Sequence, residues 1–198
     1  MTPIILASAS ETRASLLRNA GLAFEVHPGR VDEEAIRHAL TAEGATPRDI
    51  ADALAEMKAR KVSERWPEAL VIGADQVLEL KGKVFAKPGS PDAARAQLAE
   101  LAGKTHRLLS AAVVYRAGQP LWRHVGEARL TLHDLTEGQI DAYVARTWED
   151  IRHSVGCYQI EKEGVRLMSR IEGSHFSILG LPLVELLNWL RLRGELAP

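Results

Sequence analysis

The chain has 198 residues, with 25 Lys and Arg against 26 Asp and Glu, so its formal net charge is −1. Hydrophobic residues make up 46% of the chain, which is ordinary for a globular protein and excludes a disordered one. A single cysteine excludes a fold held by internal disulfides and indicates a reducing compartment, and the balanced charge argues against a nucleic-acid partner.

The first half of the chain alternates between apolar runs and segments of helical periodicity. Ser8 and Glu11 have the S-x-x-E spacing of a capping box, so we expect a helix to follow and to end at Gly21. Thr46 followed by Pro47 indicates another helix start, because proline suits the first helical position. The predicted elements are strands at 3–7 and 24–27 and helices before Gly21, at 34–43 and at 47–65.

The second half of the chain continues this alternation. The apolar run 70–75 predicts a buried strand that ends at Asp75 in a polar turn, and Ala117-Gly118 predicts a turn between two long antiparallel strands. The predicted elements are strands at 70–75, 77–80, 84–85, 106–115, 121–132 and 165–171 and helices at 91–101, after Thr136 and at 182–193. Since no repeat or flexible linker divides the chain, we expect a single α/β domain over residues 1–198.

The apolar stretches are too short for a targeting signal or a membrane span. The N-terminal run ends at Ser8 with no basic residues before it, and the run 69–74 stops at Asp75. A membrane span needs about 20 apolar residues. We therefore expect a cytoplasmic protein without a membrane partner.

Two hydroxyls and a guanidinium meet at the predicted start of the first helix. Ser8, Ser10 and Arg13 would surround the free backbone N–H groups of a helix N-terminus, which favours an anion such as phosphate. The alternative interpretation is that the serines only cap the helix and that the arginine is solvated.

Carboxylates and lysines recur near other predicted element ends. The three adjacent acids 32–34 either hold a divalent cation or only favour the first turn of a helix. Asp75 ends an apolar strand, the place from which α/β enzymes present a base, although turns also accommodate aspartate. Lys58 and Lys87 are singly typical of surface charge, but together with the acids they suit polyphosphate chemistry.

The order of these motifs resembles that of the Maf family of nucleotide pyrophosphatases, and the resemblance covers nearly the whole chain. The opening signature is LASASETRASLL at residues 6–17. The further matching segments are VDE at 31–33, LAEMKA at 54–59, GADQV at 73–77, KP at 87–88, GKTH at 103–106, IEGS at 171–174 and LGLPL at 179–183.

This resemblance implies a fold and a reaction. Maf proteins are similar to inosine triphosphate pyrophosphatases, with a mixed, elongated β-sheet flanked by helices and two lobes around a central cleft. They hydrolyse nucleoside triphosphates to the monophosphate and pyrophosphate with a divalent metal cation, Mg²⁺ or Mn²⁺. By position, Asp75 would be the catalytic base and, with Glu33, a metal ligand. The triphosphate-binding residues would be Ser8, Ser10, Arg13, Lys58 and Lys87.

Three positions associated with substrate choice in the family fall on Thr12, Gln76 and Glu161. Members acting on dTTP and UTP usually have Arg, Thr and Gln there, whereas members acting on 7-methyl-GTP have a non-basic residue, Gln and Glu. A carboxylate accepts hydrogen bonds from guanine N1–H and N2–H₂ and favours the positive charge of an N7-methylated base. The resemblance therefore implies 7-methyl-GTP as the substrate, unless Gln159 takes the place of Glu161, which would favour a pyrimidine.

The chain departs from the family pattern in ways that bear on function. Glu11 stands where proline is usual and adds a negative charge beside the expected phosphate site, and Lys162 replaces a usual glycine. A nucleotide-binding regulator of septum formation without turnover is the alternative to an enzyme, and the presence of Asp75 favours the enzyme.

The expected partners are the nucleoside triphosphate and a second copy of the chain. The long predicted strand pair, with Trp122 and Trp148 expected at the surface, suits a homodimer.

Overall fold

The computed structural model describes residues 2–196, and Met1 and residues 197–198 of the predicted domain lie outside it. Its strands are β1 (Ile4–Leu6), β2 (Glu25–Val26), β3 (Leu70–Leu80), β4 (Lys83–Phe85), β5 (Thr105–Arg116), β6 (Gln119–Leu132) and β7 (Met168–Gly173). Its helices are α1 (Glu11–Asn19), α2 (Glu33–Ala42), α3 (Pro47–Ser63), α4 (Pro91–Leu101), α5 (Glu137–Ile151), α6 (His175–Ile178) and α7 (Leu183–Leu192), with 3₁₀ turns at Val155–Cys157 and Glu163–Leu167. Within residues 2–196, no helix is long and apolar enough to cross a membrane.

A seven-stranded mixed sheet forms the centre of the fold. Its strand order is β2-β1-β3-β5-β6-β7, and β4 pairs with β3 off this path. β1 runs parallel to β2 and β3, whereas the other pairs are antiparallel. β3, β5 and β6 are 11, 12 and 14 residues long, so the sheet is elongated along them. With helices flanking this sheet, the predicted α/β class is confirmed.

Buried apolar side chains form three clusters that divide the sheet into two lobes. In the first lobe, α3 packs through Ile50 and Leu54 on one face, and α1 and α7 pack on the opposite face. In the second lobe, α4 and α5 pack against the far ends of β3, β5 and β6. Since β3 passes from one lobe to the other, Asp75 and Gln76 lie on it where the lobes meet.

The predicted strand end at Asp75 is wrong, because β3 continues past it to Leu80. β5 pairs with β3 on both sides of this point and places Ala111 opposite Asp75, so the backbone there stays within the ladder. On the other side of β3, β1 stops at Leu6, opposite Ile72. Asp75 therefore lies on the part of β3 beyond the end of β1, and not at a strand end.

α1 is capped by Ser10 and not by Ser8. Ser10 Oγ accepts a hydrogen bond from the backbone N–H of Arg13 at 3.4 Å, so the predicted capping box of Ser8 with Glu11 is wrong. The buried Ser8 hydroxyl instead accepts from the Ser10 backbone N–H at 3.3 Å and from Arg13 Nη1 at 3.0 Å.

The strand predicted at 165–171 is shifted along the chain. A 3₁₀ turn occupies Glu163–Leu167, and β7 begins at Met168. The reason is the register of the sheet, since β6 ends at Leu132, opposite Met168, and the ladder can start only there.

The tryptophans that suit a homodimer are half-buried against the rest of the chain. Trp122 stacks on Trp189 with ring centroids 5.9 Å apart, and Trp148 packs against the core of the second lobe. The homodimer stays a prediction.

Gly73 allows α3 to lie very close to β3. A Cβ added at Gly73 would collide with the carbonyl oxygen of Ala55 and would lie 2.7 Å from the backbone nitrogen of Ala59. Only a residue without a side chain fits such an approach. The approach brings Lys58, on this part of α3, to Asp75 on β3.

We expect Gly73→Ala to lower the free energy of unfolding by about 1–3 kcal/mol, because the added methyl group forces α3 away from β3. Urea denaturation followed by circular dichroism measures this change. The control is Gly138→Ala in α5, where a Cβ meets nothing within 4 Å, and we expect it to stabilise the helix by up to about 1 kcal/mol. Wild-type stability of Gly73→Ala would contradict the close packing.

Candidate active site

A cleft of about 640 Å³ opens beside the middle of β3. Its lining comes from segments far apart in the sequence, from Ala7 to Leu179. The predicted site residues that line it are Ser8, Ser10, Thr12, Arg13, Glu33, Lys58, Asp75, Gln76, Lys87 and Glu161. The fold thus brings all of them into one cleft, while their individual roles stay predictions.

Lys58 joins two carboxylates in the cleft. Its Nζ lies 2.6 Å from Asp75 Oδ1 and 2.6 Å from Glu33 Oε1. Lys58 is 6% exposed and Asp75 is 5% exposed, so the interpretation of Lys58 as a solvated surface charge is wrong. Glu33 is half-buried. Removal of Lys58 would leave the buried Asp75 and the half-buried Glu33 without their shared cation, so the three side chains depend on one another.

Glu33 is held in its ionised form. Burial acts to raise the pKa of this carboxyl, but the charge and hydrogen bond of Lys58 and the charges of Lys87 and Arg37 outweigh burial, so the pKa is lowered. The adjacent Asp32 has a different role, because its side chain caps α2. Of the acids 32–34, only Glu33 therefore joins the cluster around Lys58.

The carboxylates of Asp75 and Glu33 have the chemistry of a divalent-cation site but are too few to form one alone. Across residues 2–196, no group of three or more His, Cys, Asp and Glu side chains is placed to hold a metal ion. Asp75 Oδ2 is buried and, within the same residues, has no hydrogen-bond partner. Mg²⁺ favours carboxylate oxygens and commonly takes its other ligands from substrate phosphates and water. The two carboxylates therefore fit part of a cation site, which would need further oxygens from a ligand or water.

Arg13 ties together three segments in one part of the cleft, which we call the phosphate end after the role predicted for Ser8, Ser10 and Arg13. Its Nη1 donates to Ser8 Oγ at 3.0 Å and to the carbonyl oxygen of Ala74 at 3.1 Å, and its Nε donates to the carbonyl oxygen of Gly180 at 2.8 Å. Gly180 has a φ of +99°, and a Cβ there would lie 3.2 Å from Arg13 Nε, so glycine suits this contact. Burial lowers the pKa of Arg13, and the charge of Asp75 opposes that effect.

The rim of the phosphate end is more exposed. Ser10 is half-buried at the start of α1, and Lys87 is exposed in the loop after β4. The negative charge of Glu11 is neutralised along α1, because its carboxylate accepts from Arg18 Nη1 at 2.5 Å and from Ser15 Oγ at 3.3 Å. The departure from the family pattern at Glu11 therefore leaves the phosphate end cationic.

Gln76 offers the cleft a hydrogen-bond acceptor. Its Nε2 donates to Ser110 Oγ at 3.0 Å and to the backbone carbonyl oxygens of Ser177 at 3.1 Å and Ile178 at 2.9 Å. Backbone carbonyls only accept, so the amide cannot be turned round. The group left for a ligand is the carbonyl oxygen Oε1.

A second part of the cleft lining comes from the segment that follows α5, and we call it the base end after the role predicted for Glu161. Tyr158, Gln159 and the exposed Glu161 line it. The Tyr158 hydroxyl and His106 Nε2 lie 2.6 Å apart and both side chains are buried, so this segment is tied to β5. Burial lowers the pKa of His106 to about 4, and its ring is therefore neutral at physiological pH.

Two cations in the cleft were not singled out from the sequence. Arg30 and Arg37 line the cleft near Glu33. Arg37 follows Glu33 by four residues on α2, a spacing that places two side chains on one helix face, and this was the signal available in the sequence. Arg30 belongs to the loop before α2 and gave no such signal.

Comparison with known proteins places the chain among close relatives. Residues 3–193 match the family model of Maf-like proteins. The chain is 57% identical over 192 residues to the nucleoside triphosphate pyrophosphatase of Ruegeria pomeroyi, a match over 97% of this chain and 96% of that protein. It is 56% identical over 198 residues to nucleoside triphosphate pyrophosphatase 1 of Jannaschia sp., over 100% of both chains. It is 49% identical over 197 residues to the 7-methyl-GTP pyrophosphatase of Rhizobium etli, over 99% of both chains.

The mixed sheet and the cleft that joins arginines and lysines with the carboxylates of Asp75 and Glu33 define an α/β protein suited to polyphosphate chemistry. The chain belongs to the Maf family, and the resemblance seen in its motifs is confirmed.

We expect Lys58→Met to lower the free energy of unfolding at pH 7 by about 3 kcal/mol, because it leaves Asp75 and Glu33 without their shared cation. The pKa of Glu33 is lower in the folded chain than in the unfolded chain, so its ionised carboxylate stabilises the fold when the pH is above the unfolded pKa. This contribution disappears as the pH falls and the carboxyl is protonated in the folded chain. The difference between wild type and variant should therefore shrink as the pH falls below about 4.5, which urea denaturation at pH 7 and pH 3 measures.

The matched control for this variant is Lys61→Met, one turn further along α3. Lys61 is exposed, and its Nζ donates to the carbonyl oxygen of Arg30. We expect a change below about 0.5 kcal/mol at both pH values. Equal effects of Lys58→Met and Lys61→Met would contradict the buried cluster.

Because His106 is buried and neutral, we expect the protein to lose stability in mild acid. Its pKa of about 4 lies below that of an unfolded histidine, about 6.5, so between these values the unfolded chain takes up a proton that the folded chain does not. The free energy of unfolding of the wild type should therefore fall between pH 7 and pH 4.5. We expect this fall to be about 2 kcal/mol smaller in His106→Gln. In the control His38→Gln, which changes an exposed histidine, the free energy of unfolding should fall as much as in the wild type. If it fell as much in His106→Gln too, another group would be the cause.

Proposed function

We propose that the protein is a metal-dependent pyrophosphatase that hydrolyses 7-methyl-GTP to the monophosphate and pyrophosphate in this cleft. The protein is a nucleoside triphosphate pyrophosphatase, the activity for which its relatives from Ruegeria pomeroyi and Jannaschia are named. One observation carries the reaction. It is the buried carboxylate of Asp75, which Lys58 holds through Oδ1 while Oδ2 has no hydrogen-bond partner among the described residues.

The phosphate end binds the triphosphate. A strongly anionic ligand needs cations and N–H donors, and Arg13, Lys58 and Lys87 supply the charge. Ser8 and Ser10 add hydroxyls at the N-terminus of α1, where the helix dipole also favours phosphate. The existing bonds of Arg13 keep these groups in place before the nucleotide arrives, so little reorganisation is needed on binding.

Asp75 acts as the general base for hydrolysis. The oxygen of a water molecule forms a bond to the α-phosphorus, while the bond from that phosphorus to the oxygen bridging the β-phosphate breaks. Pyrophosphate leaves with the electron pair, and the proton of the attacking water passes to Asp75 Oδ2. Lys58 fixes the orientation of the carboxylate through Oδ1, which keeps the base in a position to accept that proton.

Glu33 and Asp75 would hold the divalent cation, Mg²⁺ or Mn²⁺, together with oxygens of the bound triphosphate. Such a cation neutralises charge that develops on the leaving pyrophosphate. Glu33 is available for this purpose at neutral pH because Lys58 lowers its pKa against the effect of burial. Lys58 also balances the two carboxylates when no cation is bound.

The three positions associated with substrate choice favour a guanine nucleotide. Gln76 offers an acceptor, the Glu161 carboxylate also only accepts, and Thr12 adds no charge. Guanine presents two neighbouring donors, N1–H and N2–H₂, whereas uracil and thymine present one N–H between two carbonyl oxygens. The positive charge of a 7-methylated base adds attraction to Glu161. The relative from Rhizobium etli is named a 7-methyl-GTP pyrophosphatase, which supports the same substrate.

The test measures pyrophosphate release with Mg²⁺ from 7-methyl-GTP, GTP, dTTP and UTP. We expect the highest kcat/KM for 7-methyl-GTP, and we expect release to stop when EDTA removes the metal. Asp75→Asn should lower kcat by at least about 100-fold, because the amide cannot take up the proton. The control Asp134→Asn changes an exposed aspartate outside the cleft and should retain full activity.

Other outcomes identify other functions. Preference for dTTP or UTP would make the protein a pyrimidine nucleotide pyrophosphatase. Nucleotide binding without turnover would indicate a regulator, and full activity of Asp75→Asn would exclude that residue as the base.

A further inference from the structure

Gln159 has an unusual position in the wall of the base end. It lines the cleft two residues before Glu161. Its Oε1 is buried and, among residues 2–196, has no hydrogen-bond partner. A buried acceptor without a donor is unfavourable, and most such atoms in proteins are paired. An acceptor of this kind beside a binding cleft points to a donor that the ligand supplies.

The orientation of the Gln159 amide is fixed by its surroundings. Its Nε2 donates to the carbonyl oxygen of Asp150 at 3.0 Å and to Ser154 Oγ at 3.2 Å. The Asp150 carbonyl can only accept, so a turned amide would set two acceptors against each other. Gln159 therefore cannot offer a donor and an acceptor together, as recognition of a pyrimidine imide requires. It offers an acceptor.

The segment around Gln159 is held on both sides. A Cβ at Gly156, whose φ is +78°, would lie 2.5 Å from Leu78 Cδ1, and a Cβ at Gly164 would lie 2.6 Å from the backbone nitrogen and oxygen of Gln159. Between these contacts, Tyr158 is tied to His106. The acceptor is therefore positioned before the ligand binds, which is the condition for a selective contact.

We propose that Gln159 is a specificity-determining residue that accepts a hydrogen bond through Oε1 from the donor edge of a guanine base. With Glu161 it makes the base end rich in acceptors, which matches the neighbouring N1–H and N2–H₂ donors of guanine. A uracil or thymine would set carbonyl oxygens against these acceptors. The inference rests on the proposed 7-methyl-GTP activity and names a residue that selects for it.

The test uses Gln159→Met in the full-length protein, because methionine keeps the length and packing of the side chain but cannot accept a comparable hydrogen bond. We expect kcat/KM for 7-methyl-GTP to fall about tenfold, while kcat/KM for UTP changes less than about twofold. Gln119→Met, an exposed position outside the cleft, should leave both values unchanged. Thermal unfolding checks that the variants are folded.

A second measurement needs only the wild-type protein. ITP lacks the N2 amino group of GTP but is otherwise the same nucleotide. We expect kcat/KM for GTP to exceed that for ITP by about tenfold, because one acceptor of the base end then loses its donor. Equal values for GTP and ITP would overturn the inference even if Gln159→Met did not fold.

The outcomes separate this inference from the proposed function. A wild-type protein that prefers UTP to 7-methyl-GTP would overturn both. A wild-type preference for 7-methyl-GTP that Gln159→Met retains would overturn only the role of Gln159. An equal loss on both nucleotides would overturn it as well, because it would assign the residue a structural role.

Discussion

The ion cluster of Lys58 with Asp75 and Glu33 is the constraint on which the rest of the site depends. Lys58 and Asp75 are buried and Glu33 is half-buried, so each charge needs its partners in place. This requires α3 to approach β3 as closely as Gly73 allows, and it requires the first turn of α2 to come next to α3. The same contacts that satisfy the charges therefore shape the cleft. One oxygen of Asp75 is used in this cluster, and the other is left for chemistry.

The near-zero net charge conceals a cleft in which cations and carboxylates gather. The cleft gathers cations from the start of α1, the loop before α2, α2, α3 and the loop after β4. Gln76 and the base end add hydrogen-bond acceptors, because the amide nitrogens of Gln76 and Gln159 bond within the protein and their oxygens remain. A nucleotide has the complementary arrangement, with its negative charge at one end and, in guanine, donors at the other. Charge counting over the whole chain could not show this, because the opposite charges cancel in the sum.

The places where prediction from the sequence failed are informative. Asp75 looked like a strand end because a polar residue interrupted an apolar run, yet pairing with β5 carries the strand through it. Lys58 looked like a surface charge because lysine usually is one, yet two carboxylates from other segments allow its burial. Ser8 looked like a helix cap because of local spacing, yet Ser10 performs that task. For Asp75 and Lys58 a partner distant in the sequence decided the outcome, whereas for Ser8 the neighbouring Ser10 and Arg13 did.

The sequence by itself determined the α/β class, most of the helices and strands, and the membership of the Maf family, because hydrophobic periodicity, capping residues and short motifs are local properties. It also singled out ten residues that the structure places in one cleft. Only the tertiary structure decided that Asp75 lies beyond the end of β1, that Lys58 is buried between acids and that the amide of Gln159 is fixed as an acceptor. These properties depend on strand register and on hydrogen bonds between segments, which a linear pattern does not specify.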